Sequence, residues 1–117
     1  MKDCIFCKIG AGEIPSRKVY EDETVLAFHD LEPQAPVHVL VIPKAHIASA
    51  QEITPENSGV VAHIFEVIAK LSGELGLEKG FRVINNCGEN GMQSVQHLHF
   101  HLLGQRKMGW PPFPPEE

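Results

Sequence analysis

The sequence predicts a single α+β domain in which an antiparallel β-sheet carries its helices on one face. Two observations lead to this fold class. Three short strand-like segments follow one another with short connections, and two more come after one long amphipathic helix, an order typical of antiparallel sheets. The 117 residues also match the usual size of one domain, about 100–150 residues. We therefore expect one domain over residues 1–117, with a proline-rich tail over residues 106–117.

The first half of the chain contains a short helix followed by three strands. Asp3 is the predicted helix N-cap, and Gly10 and Gly12 stop the helix. Two prolines between residues 31 and 36 remove backbone donors and mark that segment as a loop. The predicted bounds are residues 4–9 for the helix and residues 18–21, 24–30 and 37–42 for the strands, the last of which is ended by Pro43.

The second half contains a long helix and two strands. Thr54 is the predicted N-cap, because Pro55 then occupies the first helical position. Gly76 is a natural stop for this helix. Strands are predicted over residues 81–85 and 95–104. Apolar residues recur along the helix at three- and four-residue spacing, which predicts one buried stripe formed by Val61, Ile64, Phe65, Ile68, Leu71 and Leu75.

Composition limits the possible partners. Lys and Arg number 10 against 15 Asp and Glu, so the net charge of −5 argues against binding to nucleic acid or to an anionic membrane. No apolar run approaches the roughly 20 residues of a membrane span, and the N-terminus lacks the apolar segment of a secretory signal. Three cysteines fit no closed disulfide framework. We therefore expect a cytoplasmic protein.

Histidine is the unusual residue of this chain, with seven copies. His97, His99 and His101 alternate with apolar residues, and side chains alternate between the two faces of a strand. The three imidazoles are therefore expected to share one face, opposite the core, and to look onto a cleft or solvent. A solvated strand face, or buried histidines with satisfied hydrogen bonds, would be the purely structural explanation. We favour a reactive site, because surface strands favour Thr, Lys and Glu over three histidines.

Neighbouring segments add polar groups to this face. Glycines in the loop over residues 86–94 allow backbone N–H groups to form an anion-binding nest, although an ordinary hairpin turn is the alternative. Asn86 and Ser94 add side-chain donors to that loop. His38 lies in an apolar strand within reach of the three histidines, although a lone buried histidine is more often structural. Asp30 ends a strand, where a carboxylate can accept the hydroxyls of a ribose or simply start a turn.

Cys4 and Cys7 are spaced so that both thiols lie on one face of a helical turn. Such a pair can chelate zinc or act as a redox dithiol, but redox pairs usually follow a strand in a βαβ unit. A closed tetrahedral zinc site needs two more ligands, and His46 and His97 are the available histidines. Cys87 has no such partner in the sequence and is expected to be a packed or free thiol.

The segment His97-Leu98-His99-Phe100-His101-Leu102-Leu103 resembles the signature of the histidine-triad (HIT) superfamily, in which three histidines alternate with apolar residues. The resemblance extends over nearly the whole chain, in the family's order, and is greatest to the Hint-like branch. The other matching segments are Leu26-Ala27-Phe28-His29-Asp30, Ala35-Pro36-Val37-His38, Val41-Ile42-Pro43-Lys44 with His46, Gln93-Ser94-Val95 and Met108-Gly109-Trp110-Pro111-Pro112.

The resemblance implies a fold and an activity. Hint-like proteins are homodimers, and each five-stranded antiparallel sheet, with one long and one short helix, joins its partner in a ten-stranded sheet. They hydrolyse purine nucleoside 5′-phosphoramidates to a nucleoside monophosphate and an amine. The middle histidine, here His99, is the nucleophile of the family, and a nucleotidyl-histidine forms before water releases the product.

The resemblance also implies roles for particular residues. His38 and the backbone carbonyl of His97 orient the nucleophile and its protons, and Ser94 is the candidate donor to the leaving amine. The implied catalytic residues are His99, His101, His38 and Ser94. The implied nucleotide-binding residues are Asp30 for the ribose, Ile5, Phe6, Ile9, Phe28 and Leu31 for the base, and also Asn86, Gln93, Ser94, His99 and His101.

Relatives with the same cysteine pair bind zinc through positions that match Cys4, Cys7, His46 and His97, so the resemblance implies a structural zinc ion. No magnesium is expected, because imidazoles and backbone donors would stabilise the phosphoryl group. The expected partners are a purine nucleoside monophosphate or phosphoramidate and a second copy of the chain. Three alternatives stay open: a dinucleoside-polyphosphate hydrolase or nucleotidyltransferase, a nucleotide-binding regulatory protein with vestigial catalysis, and a metal-binding module without a reaction.

Overall fold

The computed structural model describes residues 3–113, which form a five-stranded antiparallel sheet with two helices and confirm the predicted fold class. Neighbouring strands follow the order first, second, third, fifth, fourth, and every pair is antiparallel. The elements are α1 (Ile5–Gly10), β1 (Lys18–Glu21), β2 (Val25–His29), β3 (Val37–Pro43), a 3₁₀ turn (Ala50–Glu52), α2 (Ser58–Glu74), β4 (Phe81–Ile84) and β5 (Phe100–Gly104).

The two helices pack on opposite faces of the sheet, so the prediction of one helical face is wrong. Side chains alternate along each strand, and each face therefore has its own apolar cluster. The prediction failed because α1 contributes an apolar pair, Phe6 and Ile9, that covers the second face. The cluster under α2 includes Val39, Val41, Phe100 and Leu102, and the cluster under α1 includes Leu26, Phe28, Leu40 and Ile42.

Both helices begin at other residues than predicted. The N-cap of α1 is Cys4, whose Sγ accepts a hydrogen bond from the backbone N–H of Cys7 at 3.3 Å, and not Asp3. Helix α2 begins at Ser58 and not after Thr54, because the side chain of Asn57 accepts the Thr54 N–H at 2.7 Å and holds a separate turn before the helix. The predicted stop is confirmed, since Gly76 follows the helix in a left-handed conformation with φ of 74°.

The buried stripe of α2 contains Val67 in place of the predicted Phe65, and the predicted Val61 and Leu75 are partly buried at its ends. Ile64, Val67, Ile68 and Leu71 are buried against the sheet, whereas Phe65 is 46% exposed. Among residues 3–113, no helix has both the length and the apolar character needed to cross a membrane.

Strand β5 is shorter than predicted, and the first two histidines of the triad precede it. The prediction covered residues 95–104, whereas the regular strand begins at Phe100. Side chains replace the ladder hydrogen bonds before that point. The His97 ring donates from Nε2 to the carbonyl of Pro43 at 2.7 Å, and the Asn85 amide donates to the carbonyl of His99 at 2.9 Å. The bounds of the other strands agree with the predictions within one residue.

The alternation of faces nevertheless continues through this irregular segment. Leu98 lies in the cluster under α2, together with Phe100. The rings of His97 and His99 instead contact Phe6 of α1, at centroid distances of 5.9 and 5.1 Å. The three rings therefore share one face, as the sequence predicts, although the backbone is not a regular strand. That face was expected to look onto a cleft or solvent, whereas α1 covers it and buries the His97 and His99 side chains.

Strand β4 lies at one edge of the sheet and carries the start of the C-terminal tail. Arg82 donates from Nη2 to the carbonyl of Gly109 at 2.8 Å and lies against the Trp110 ring at 5.9 Å. Phe81 is 43% exposed and Trp110 is 80% exposed at this edge. The predicted tail over residues 106–117 lies within the described residues as far as residue 113.

Candidate active site and metal centre

A cavity of about 360 Å³ lies between α1 and the sheet, within the usual size range of small-molecule sites. Its walls contain nine of the residues predicted from the sequence: Ile5, Phe6, Ile9, Phe28, Asp30, Leu31, Ser94, His99 and His101. One side is apolar, and the histidines and Asp30 form the other. A second cavity of about 560 Å³ adjoins the first, and Ile5, Ser94 and Val95 belong to both walls.

His99 is held in one tautomer by the backbone. Its Nδ1 lies 2.7 Å from the carbonyl oxygen of His97. A carbonyl can only accept, so His99 carries its proton on Nδ1 and, when neutral, holds a lone pair on Nε2. The ring is almost fully buried, but it forms part of the cavity wall, edge-on to Phe6. This arrangement gives the wall of the cavity a nitrogen with a free lone pair, which is a nucleophilic group.

A second chain of hydrogen bonds fixes the tautomer of His101. The backbone N–H of Gln34 donates to Nδ1 of His38 at 3.0 Å, so the neutral His38 ring carries its proton on Nε2. That Nε2 lies 2.8 Å from Nδ1 of His101 and 3.4 Å from Oδ2 of Asp30. His101 therefore accepts at Nδ1 and carries its own proton on Nε2. The ring can donate to an anionic oxygen in the cavity.

Asp30, His38 and His101 also lie close enough together to suggest a metal site, since their ligand atoms are within 4.8 Å of one another. The Gln34 hydrogen bond argues against this function. This bond directs the Nδ1 lone pair of neutral His38 toward the backbone. The proton is then on Nε2, the nitrogen that would have to bind the metal. We therefore interpret this group as a hydrogen-bond relay.

Burial keeps both rings of the relay neutral. Desolvation, together with the nearby His99 and His38 rings, lowers the pKa of His101 to about 4, while Asp30 opposes the shift. Desolvation also lowers the pKa of His38, again against the effect of Asp30. Both imidazoles are therefore uncharged near neutral pH, and the tautomer assignments above hold in that range.

The four predicted zinc ligands form a compact cluster beside the cavity. Nδ1 of His97 lies 3.2 Å from Sγ of Cys4 and 3.5 Å from Sγ of Cys7, and Nδ1 of His46 lies 3.3 Å from Sγ of Cys7. All four ligand atoms lie within 4.8 Å of one another. Zinc–ligand bonds of about 2.0–2.3 Å require ligand atoms roughly 3.3–3.8 Å apart in a tetrahedron. The cluster therefore fits a tetrahedral zinc ion.

The second nitrogen of His97 orients its ring toward the sulfur atoms. Nε2 donates to the carbonyl of Pro43, so the lone pair of the neutral ring lies on Nδ1, the atom nearest the cysteines. Desolvation lowers the pKa of His97, which keeps the ring neutral, as a metal ligand must be. Burial and the neighbouring Cys4 raise the pKa of the Cys7 thiol, so a bound cation would be needed to stabilise its thiolate at neutral pH.

Two predicted nucleotide-binding side chains of the loop over residues 86–94 instead form hydrogen bonds that fix the conformation of the loop. The Asn86 amide donates to the carbonyl of Gly91 at 2.7 Å. The Gln93 amide donates to the carbonyls of Ala48 and Val95 and accepts the Gly88 N–H. Ser94 reaches the cavity wall, whereas Asn86 and Gln93 are not among its lining residues in the part of the chain described.

Several groups of the site were missed by sequence reasoning. The carbonyl of Pro43, the N–H of Gln34 and the side chain of Asn85 orient His97, His38 and the His99 backbone, respectively. Two of these are backbone groups, which nearly every residue type supplies, so no sequence signal could have identified them. Asn85 was assigned only as the end of a strand.

Comparison with known proteins gives consistent matches over nearly the whole chain. A model of the HIT domain family matches residues 11–108. A 14 kDa zinc-binding protein of Zea mays is 51% identical over 113 residues, which are 92% of this chain and 86% of the maize protein. The crystal structure of a HIT family hydrolase from Legionella pneumophila is 47% identical with a TM-score of 0.92, and the match covers 95% of this chain and 100% of that one. A Zn-bound histidine triad family protein from Mycobacterium smegmatis is 34% identical with a TM-score of 0.76, over 90% of this chain and 76% of that one.

The lowered pKa values of His38 and His101 predict that acid destabilises the fold. An unfolded histidine titrates near pH 6.5. Below that pH, these two histidines are protonated in the unfolded chain but remain neutral in the folded protein. The free energy of unfolding should therefore decrease as the pH falls from about 6.5 toward 4. Urea unfolding at several pH values would measure this decrease. His101→Asn should show a smaller slope than the wild type, and equal slopes would contradict the assignment.

Proposed function

This chain belongs to the HIT domain family, and from that premise we propose that it hydrolyses the P–N bond of purine nucleoside 5′-phosphoramidates. The products would be a nucleoside monophosphate and an amine. The observation that carries the proposal is the His99 ring, which holds a lone pair on Nε2 in the wall of a nucleotide-sized cavity. Similarity to a HIT family hydrolase of known structure supports the reaction class.

The first proposed step is an attack by Nε2 of His99 on the α-phosphorus. A bond forms between this nitrogen and phosphorus, and the P–N bond to the amine breaks. The amine leaves with its bonding electron pair and takes up a proton, for which Ser94 at the edge of the cavity is the candidate donor. Water then attacks the phosphorus of the nucleotidyl-histidine, the bond from phosphorus to Nε2 of His99 breaks, and the proton lost by the water returns to Ser94 as the nucleoside monophosphate departs. The His97 carbonyl stabilises the positive charge that develops on the ring.

The charge of the phosphoryl group would be met by His101. Its Nε2–H is available because Nδ1 accepts from His38. Such a donor in a site shielded from water stabilises developing charge without reorganisation. Backbone N–H groups near Ser94 are the further candidate donors. With these donors on the phosphoryl oxygens, the proposed reaction needs no magnesium ion.

The shape of the cavity supports a nucleoside as the rest of the substrate. Phe6 and Phe28 meet edge to face at 5.7 Å and form an apolar wall, with Ile9 beside them, that suits the faces of a purine base. Asp30 lines the same cavity, and its Oδ2 lies 3.4 Å from Nε2 of His38. Its Oδ1 accepts the N–H of Glu32 at 2.7 Å, and its remaining acceptor capacity suits the hydroxyls of a ribose.

We further propose that Cys4, Cys7, His46 and His97 hold a structural zinc ion. The four donors fit its tetrahedral preference and fill all its positions, so the ion would take no part in the reaction. It would fix α1, and with it the apolar wall, to the segment that carries His99. The names of the maize and mycobacterial relatives support zinc as the metal.

A homodimer formed through β4 is part of the proposal. This edge strand has unpaired backbone groups and carries Phe81 and Ile84, which are 43% and 36% exposed. An edge strand with exposed apolar side chains is suited to pairing with a second copy. Two five-stranded sheets paired in this way would form one sheet of ten strands.

A dinucleoside-polyphosphate hydrolase or nucleotidyltransferase is the nearest alternative, because it would use the same nucleophile. Comparing kcat/KM for an adenosine phosphoramidate and a diadenosine polyphosphate separates the two. A clear preference for the polyphosphate would overturn the proposed substrate class. Binding of nucleotide without turnover of either compound would favour a regulatory protein.

His99→Ala should abolish turnover while leaving nucleotide binding intact. Removal of a covalent nucleophile typically costs on the order of 10⁴-fold or more in kcat. The Kd for adenosine monophosphate should stay within about tenfold, since the apolar wall and Asp30 remain. Single-turnover kinetics and calorimetry would measure these quantities. His63→Ala, the same change on α2 outside the cavity, is the matched control, and a His99→Ala protein with near-native kcat would rule out the mechanism.

Metal analysis of the purified protein should find one zinc ion per chain. Cys7→Ser should lose this zinc, because a hydroxyl replaces a thiolate ligand. Cys87→Ser makes the same change outside the cluster and should keep the metal. Added chelator should lower the Tm of the wild type and of Cys87→Ser but not that of Cys7→Ser. Zinc content that is equal in all three proteins would contradict the assigned ligands.

A further inference from the structure

We propose that Arg106, outside the cavity, is a positioning residue that sets the tautomers of His38 and His101 through the backbone of Gln34. Its effect on catalysis rests on the proposed function, whereas its effect on the imidazoles does not. The evidence is a continuous series of hydrogen bonds from the C-terminal segment to the cavity.

Both backbone polar atoms of Gln34 are engaged. Its carbonyl accepts a hydrogen bond from Nη1 of Arg106 at 2.7 Å. Its N–H donates to Nδ1 of His38 at 3.0 Å. The guanidinium group therefore holds the same residue whose amide selects the protonated nitrogen of His38.

Strand pairing and a tight turn bring Arg106 to this place. Val37 pairs with Gly104 at the end of β5, so the residues after Gly104 lie beside the loop that precedes Val37. Gln105 adopts a left-handed conformation with φ of 60° and donates from Nε2 to the carbonyl of Leu75 at 3.2 Å. This turn anchors the chain just before Arg106.

The other side-chain hydrogen bonds of the loop over residues 31–36 are local. The Glu32 N–H donates to Oδ1 of Asp30, and the Gln34 side-chain amide donates to the carbonyl of Glu32. These bonds shape the loop without tying it to a distant element. Arg106 supplies a long-range tie, across 72 residues of sequence. Loss of this tie should let the Gln34 amide move away from His38.

Displacement of the Gln34 amide would change what the cavity presents. Asp30, whose Oδ2 lies 3.4 Å from Nε2 of His38, would then be the one remaining group among residues 3–113 that favours a proton on Nε2. A fraction of the His38 rings could carry the proton on Nδ1 instead, and in those rings Nε2 would become an acceptor. His101 would have to donate from Nδ1 to keep the 2.8 Å contact, which leaves a lone pair on its Nε2. A lone pair repels a phosphoryl oxygen that an N–H would bind. Catalysis should therefore fall although neither histidine has been replaced.

The test compares Arg106→Leu with Arg106→Lys and Lys107→Leu in the full-length protein. Lys107 is the next residue, carries the same charge and is exposed, so its replacement controls for the loss of charge. Long-range ¹⁵N–¹H correlation spectra distinguish protonated from unprotonated ring nitrogens. In the wild type and in Lys107→Leu, Nδ1 of both His38 and His101 should be unprotonated. In Arg106→Leu, both signals should shift toward the values of mixed tautomers.

Kinetics with an adenosine phosphoramidate provide the second readout. For Arg106→Leu we expect kcat to fall about fivefold (~1 kcal/mol) with little change in KM. Arg106→Lys should recover most of the rate, because an ammonium group can also donate to the Gln34 carbonyl. Histidine spectra and kcat of Arg106→Leu that match those of Lys107→Leu would overturn the positioning role. If the wild type hydrolyses no phosphoramidate, the proposed function fails, and the spectra alone decide the role of Arg106.

Discussion

The hydrogen bond from Nδ1 of His99 to the carbonyl oxygen of His97 determines what the cavity can do. A carbonyl oxygen can only accept a hydrogen bond, so Nδ1 must carry the proton. Nε2 of the neutral ring therefore has a free lone pair. The same rule, applied to the Gln34 amide, makes His101 a donor. One backbone carbonyl and one backbone N–H thus leave a lone pair on one of two neighbouring imidazoles and an N–H on the other, as the proposed nucleophile and the proposed hydrogen-bond donor require.

His97 connects this chemistry to the metal centre. Its side chain joins the two cysteines and is oriented by the carbonyl of Pro43, while its own carbonyl holds His99. A zinc ion bound to Nδ1 would therefore stabilise the backbone that positions the proposed nucleophile, His99. Cys4 is also the N-cap of α1, which provides the Phe6 side of the cavity. The proposed zinc would influence the rate through the shape of the site, without contact with the substrate.

The alternation of His97, His99 and His101 with apolar residues was sufficient to predict the shared histidine face, because each intervening residue is needed in the core under α2. The two-residue spacing and apolar character of a segment are properties of the sequence itself. The early end of β5 could not be predicted, since it depends on Asn85 and Pro43, which are distant in sequence from the strand. The hydrogen bonds of the Asn86 and Gln93 side chains could not be predicted either. Their amides donate to backbone carbonyls, and the positions of these carbonyls are known only once the loop has folded.

The face of the sheet that α1 covers could not be predicted from the sequence. A six-residue helix is too short for its apolar pattern to indicate which face it covers. The family resemblance places Phe6 and Ile9 in the base pocket but does not give this face. Mass spectrometry of the protein, quenched during turnover of an adenosine phosphoramidate, would test the central claim most directly. We expect one covalent adenosine monophosphate per chain, attached to a peptide that contains His99 and labile in acid. Turnover with no adduct under conditions that trap phosphohistidine, or an adduct on another residue, would contradict His99 as the nucleophile.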